Sequence, residues 1–159
     1  MHRTPSQNVL GTFRNVVGAM ILFMESVQLS HEQATIRSFI QKDRQERSAY
    51  LLGNPKHRHK FTSELTHFKW LDDRFAHPIP PSQAHSAAEL ASLLRRKGAG
   101  DTVWVISDDS AIDTREMALE KVMAHIWGRG IGVILSCIPG KLAFFAGEEV
   151  KSERLLLRP

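Results

Sequence analysis

The sequence predicts a single α/β domain, with three to four helices packed on a small mixed sheet that contains a β-α-β-β unit over residues 103–146. Three observations lead there. A chain of 159 residues with 42% hydrophobic content can bury one ordinary core, whereas two would be cramped. The apolar runs Thr102–Ser107 and Ile131–Ile138 stop at Asp108-Asp109 and at Pro139-Gly140, which is the length and punctuation of strands. Between them Leu119, Val122, Met123 and Ile126 recur at helical spacing. A charged fraction of 24% argues against wholesale disorder. The one cysteine, Cys137, cannot form an internal disulfide, so the expected location is cytoplasmic.

Residues 1–29 form an N-terminal apolar segment outside the expected domain. Val16–Met24 is mostly apolar and is preceded by Arg3 and Arg14. A bilayer span needs about 20 apolar residues, so no transmembrane span is expected. The stretch has the length of a secretory apolar core, but the following Glu25–Leu29 lacks a small-residue cleavage site. An export signal or membrane-surface anchor is therefore weaker than two plainer readings. Those are a packed N-terminal helix, or a start assigned too early with Met20 or Met24 the true beginning.

The domain proper is expected over residues 30–159, opening with a helical hairpin over 30–75. Ser30 and Gln33 have the spacing of a capping box. Ile36, Phe39, Ile40, Tyr50 and Leu51 then share a face, and Gly53 suits a left-handed helix end. Asn54-Pro55 is suited to begin the second helix, which carries Phe61, Leu65, Phe68 and Leu71 or Phe75. Prolines mark residues 76–85 as a linker. Ser86 and Glu89 make another capping box, Leu90, Leu93 and Leu94 a buried stripe, and Gly98 the end. A last helix is predicted from Asp113 or Thr114 to residue 127, ended by Gly128 and Gly130. Pro139-Gly140 reads as a type II turn, and Leu155–Leu157 as a half-turn or strand.

A strand, helix, strand succession in one sheet implies a right-handed crossover with parallel strands. Both apolar runs lack clean alternation, as strands covered on both faces do. Parallel neighbours would bring Ser107, Asp108 and Asp109 to one rim with Cys137 and Lys141. Asp113, Arg115 and Glu116 would join them in the first turn of the following helix. Ligands of open α/β sheets bind at such rims. Three chemistries compete there: an anion on the helix N-terminus with Arg115 and Lys141, a hard cation on the three aspartates, or Cys137 as a nucleophile. Each has a plain counterpart, since aspartates favour loops and cysteines are commonly buried.

No cofactor is indicated. The chain has no phosphate-binding loop motif, and Gly128, Gly130 and Gly132 lead from helix to strand, the reverse of the dinucleotide order. No metal site is expected either, because His57, His59, His67, His77 and His85 lack the spacing of a zinc helix. Residues 30–100 hold twelve Lys and Arg against seven Asp and Glu, while 101–159 hold seven against nine. Within that basic half, Lys56, His57, Arg58, His59 and Lys60 form a cluster fit to touch nucleic-acid phosphates. The expected function is accordingly a non-enzymatic ligand-binding or regulatory module with an unknown small ligand. A nucleic-acid-associated protein comes second and a cysteine-dependent enzyme third. Exposed sheet edges also leave room for a homodimer.

Overall fold

The computed structural model describes residues 5–149 and 151–159. Among these, five α-helices form: α1 (Pro5–Phe39), α2 (Gln45–Gly53), α3 (Arg58–Thr62), α4 (Ala87–Arg96) and α5 (Leu119–Ile126). Six strands accompany them: β1 (Ala76–Pro78), β2 (Thr102–Ser107), β3 (Arg115–Ala118), β4 (Val133–Ile138), β5 (Leu142–Ala146) and β6 (Arg154–Leu157). They build one sheet in the order β1-β6-β5-β4-β2-β3, every neighbouring pair antiparallel. No helix among the described residues is long and apolar enough to cross a membrane.

Successive strand residues face opposite ways, and here both sets are buried. Val105, Val133, Leu135 and Phe144 turn toward α4 and α5, meeting Leu90, Leu94, Leu119 and Met123. Trp104, Ile106, Ile134 and Phe145 turn the other way, onto Phe39, Ile40, Leu52 and Phe61 of α1–α3. The sheet is thus the middle of three layers.

The α/β class holds, but the sheet is not mixed, and the expected parallel pairing of 103–107 with 131–138 is overturned. Trp104 pairs with Ser136 and Ser107 with Val133 in antiparallel register. Loss of alternation reports that helices cover both faces; it carries no information about strand direction. Direction is set by β3. Residues expected in the first turn of a helix instead pair with β2, Val105 opposite Arg115 and Thr102 opposite Ala118. That return leg, entered through Thr114 at a φ of 56°, leaves only Leu119–Ile126 helical. The chain then enters β4 against β2.

The first hairpin also differs. Ser30 lies inside α1, which runs on without a break and ends where tertiary contacts capture the backbone. The Gln41 N–H donates to the Trp70 carbonyl at 2.8 Å, that of Asp72 to the Phe39 carbonyl at 2.7 Å, and Ile40 bridges Leu71. Asn54 does not cap α3; its side chain accepts from the Lys56 N–H at 3.0 Å, and the helix starts at Arg58. The expected linker contains β1, an edge strand ending in Pro78, where a missing N–H is tolerated. Gly53 ends α2 without a left-handed φ and Tyr50 is exposed, whereas several other local expectations hold. The Glu89 N–H donates to Ser86 Oγ at 3.1 Å, Gly98 closes α4 at a φ of 111°, and Leu155–Leu157 lie in β6. At the β4–β5 turn the Lys141 N–H reaches the Ile138 carbonyl at 3.0 Å, with Gly140 at a φ of 74°.

Gly132 marks the tightest approach between layers. A Cβ there would stand 2.6 Å from the Thr66 nitrogen and 2.7 Å from the Leu65 carbonyl carbon, both backbone atoms of the turn Ser63–His67. Gly132→Ala is expected to destabilise the chain by about 1–3 kcal/mol, read as a fall in Tm of roughly 3–10 °C. Gly100→Ala, with nothing within 4 Å, is the control and should leave Tm nearly unchanged.

Candidate functional site

Antiparallel pairing divides the predicted rim. Asp108 lies beside the start of β4, its N–H donating to the Gly132 carbonyl at 3.1 Å. Cys137 lies four residues further along β4, roughly 13 Å at strand rise, at the opposite end of the sheet. Lys141 is at that far end too, in a turn whose Gly140 lies against Ser38 and Ala34 of α1. Arg115 and Glu116 are exposed on edge strand β3, so no helix N-terminus gathers them.

The individual groups have local partners. Asp109 accepts from or shares a proton with His125 at 2.8 Å, and that hydrogen bond holds its carboxyl below the usual range. Burial pushes the Asp108 carboxyl up. The Cys137 thiol is buried and donates to the Leu135 carbonyl at 3.7 Å. Burial raises its pKa to about 12, opposite in direction to an activated thiolate. Among the described residues no group of three or more His, Cys, Asp or Glu side chains is placed to hold a metal ion.

Arg58 is not available to phosphates. It is 9% exposed and forks onto Asp113, with Nε to Oδ2 at 2.8 Å and Nη2 to Oδ1 at 2.9 Å. The same Nη2 reaches Glu32 Oε1 at 2.7 Å. Burial works to lower its pKa, but hydrogen bonds and charge from Asp113 and Glu32 outweigh that and raise it. Glu32, 5% exposed, also accepts from Trp104 Nε1 at 3.2 Å. Asp113 Oδ1 accepts the Ser107 N–H at 3.0 Å. Next to them His31 stacks on Trp104 with centroids 6.3 Å apart and meets Ser136 Oγ at 2.7 Å. Burial lowers the His31 pKa, partly opposed by Glu116. Ser136 is fully buried in the sheet, so this pair fastens α1 to β4 and offers no path to a substrate. Glu32, His31, Trp104 and Ser136 were not singled out from sequence. One signal was present: Arg58, Phe61, Thr62 and Leu65 fall at i, i+3, i+4 and i+7, which puts the arginine on the buried face.

A concave surface lies at the Asp108 end. A cavity of about 240 Å³ opens between the α5–β4 loop and the β5–β6 loop. Leu90, Met123, Ile126 and Phe144 supply apolar surface, while Trp127, 38% exposed, and Glu148, Glu149, Lys151 and Glu153 bring ring and charge. Positive φ at Gly128 and Gly130, 69° and 64°, turns the chain around it, and Gly130 lies close to Glu148. On the opposite layer a groove of about 640 Å³ holds Arg44, Arg47, His59, Lys60 and Trp70, with the Arg44 guanidinium 5.4 Å from the Trp70 ring centre. From the predicted basic cluster, Lys56 is exposed and His57 stacks on Tyr50 at 5.8 Å.

No protein-family model, curated protein or solved structure matches the chain.

Removing one partner of a buried ion pair leaves the others uncompensated. Arg58→Ala is thus expected to cost about 3–5 kcal/mol in chemical denaturation, and Arg58→Met in a Glu32→Gln, Asp113→Asn background much less. At pH 8 the folded chain should alkylate at Cys137 about a thousandfold more slowly than the urea-unfolded chain, because raising the pKa to about 12 depletes thiolate by that order. Iodoacetamide labelling followed by mass spectrometry reads the ratio.

Proposed function

We propose that the chain is a non-enzymatic binding module that takes a small amphiphilic cation in the cavity beside Trp127. The observation that carries this reading is the composition of the walls: apolar surface from Met123, Ile126 and Phe144, an accessible indole, and three carboxylates against the one ammonium of Lys151. An apolar body suits the floor, and a cationic head suits an indole face and acidic rim. The loop from Ser107 to Asp113 stands at the same end of the sheet, tied by the Asp108–Gly132 hydrogen bond to the residue that follows Ile131 of the cavity wall. Proximity of that loop to the cavity supports a part for Ser107, Asp108 and Asp109, three of the residues expected from sequence to bind a ligand. The buried thiol and the enclosed Ser136 favour binding over covalent chemistry.

A second reading is favoured by the basic groove: Arg44, Arg47, His59 and Lys60 around Trp70 suit phosphates with a base stacked on the ring.

One titration separates the two. Choline and butylammonium are expected to stabilise the chain by mass action, about 2.7 kcal/mol at a hundred times Kd, whereas the neutral isostere 3,3-dimethylbutanol should do so far less. Trp127→Ala and Glu153→Gln should each weaken the cation about tenfold in calorimetry. Equal stabilisation by the neutral isostere, or none by any cation, rejects the first reading. A single-stranded oligonucleotide whose affinity falls steeply with salt and with Lys60→Gln supports the second.

A further inference from the structure

Helix α1 continues past the body of the molecule. Residues 11–26 are exposed along their whole length, an overhang of about 24 Å at helical rise. At 100° per residue, Phe13, Val16, Val17, Met20, Phe23 and Met24 share one arc, with Ile21 at its border. All but Val17 are more than half exposed, reaching 66% at Phe13 and 68% at Phe23. Val27 continues the arc onto the body, where it is half-buried against the core cluster that contains Phe39 and Trp104. The other side of the overhang carries Gly11, Asn15, Gly18, Ala19 and Ser26, interrupted by Leu22. Half-exposed side chains of this size present on the order of 600 Å² of apolar surface. That is at the limit of the about 300–600 Å² patch of an ordinary monomer, and close to the ~800 Å² each partner gives a standard interface.

We propose that this overhang is a self-association site, occupied by the same helix of a second copy in antiparallel orientation and centred between Gly18 and Ala19. In that register Phe13 meets Met24 of the second copy and Val17 meets Met20, each contact made twice by symmetry. The charges select the direction. Arg14 and Glu25 both lie beside Ile21 on one border of the arc, eleven residues or about 16 Å apart. Among the described residues neither makes an ion pair within the chain. An antiparallel two-fold copy inverts their order, keeps both on the same side of the pair and so brings each near its opposite; a parallel two-fold copy carries its own pair to the other side of the seam and leaves all four without a partner. Antiparallel pairing also sends the two bodies to opposite ends of the helix pair. A lipid surface fits less well, since interfacial helices carry many Lys or Arg on the polar side, and this stretch has one arginine and one glutamate.

Sedimentation equilibrium of the full chain tests this. The expected mass is twice the 18.0 kDa of one chain at micromolar concentration. Met20→Glu should abolish the dimer yet melt like the parent chain at dilutions where both are monomeric, because Met20 is exposed in the single chain and only the mass-action stabilisation of the dimer is lost. Arg14→Glu should weaken association roughly three- to tenfold, and adding Glu25→Arg should restore it. Phe13→Cys mixed with Met24→Cys should cross-link across chains, each variant by itself poorly. A monomer up to about 100 µM, an oligomer larger than two, self-cross-linking of each single variant, or a monomer that floats with phospholipid vesicles would overturn the proposal.

Discussion

The guanidinium of Arg58 is the joint on which the arrangement of layers depends. It grips Glu32 of α1 on one side and Asp113 of the β2–β3 loop on the other. Glu32 then holds the Trp104 indole, and Asp113 the Ser107 N–H. Three regions distant in sequence, α1, α3 and β2 with its following loop, thus converge on one charge. Such a network adds little net stability over a well-packed apolar substitute, because desolvation offsets most of the attraction. What it supplies is position: apolar packing tolerates sliding of a helix over a sheet, while a forked ion pair does so poorly. It fixes the end of α1 on the sheet, and so the direction in which the rest of that helix leaves the body.

Some parts of the fold that depend on local chemistry were legible in the sequence, although Gly53 and Asn54-Pro55, equally local signals, did not act as expected. Ser86 with Glu89, Gly98, and the Pro139-Gly140 turn each act within a few residues, and each was found where expected. Strand direction was not legible, because the lack of alternation in Thr102–Ser107 and Ile131–Ile138 follows from helices on both faces, whichever way the strands run. The return strand Arg115–Ala118 was hidden by its length and by the strong helical period just after it. Ser30 mimicked a helix start because a capping pair is equally possible at an exposed point inside a helix.

The candidate site was harder to read for a related reason. Sequence brought Asp109 and Cys137 together only through an assumed parallel pairing, and antiparallel register sends them to opposite ends. Arg58 looked like one of five basic neighbours, although its spacing to Phe61 and Leu65 marked it as buried. The cavity beside Trp127 joins residues from three separate segments, from Leu90 to Glu153, and no local pattern announces such a meeting. Chemistry distributed over loops becomes visible only once the sheet order is known.

The two borders of the sheet have a consequence of their own. β1 offers three residues and ends in Pro78, and β3 offers four with Arg115 and Glu116 outward. Borders so short, one finished by an imino acid and one by charge, are poor templates for strand addition. The polypeptide can therefore be concentrated without seeding cross-β growth, and any fibril would have to begin from an opened molecule in which the inner strands β4 and β5 come loose.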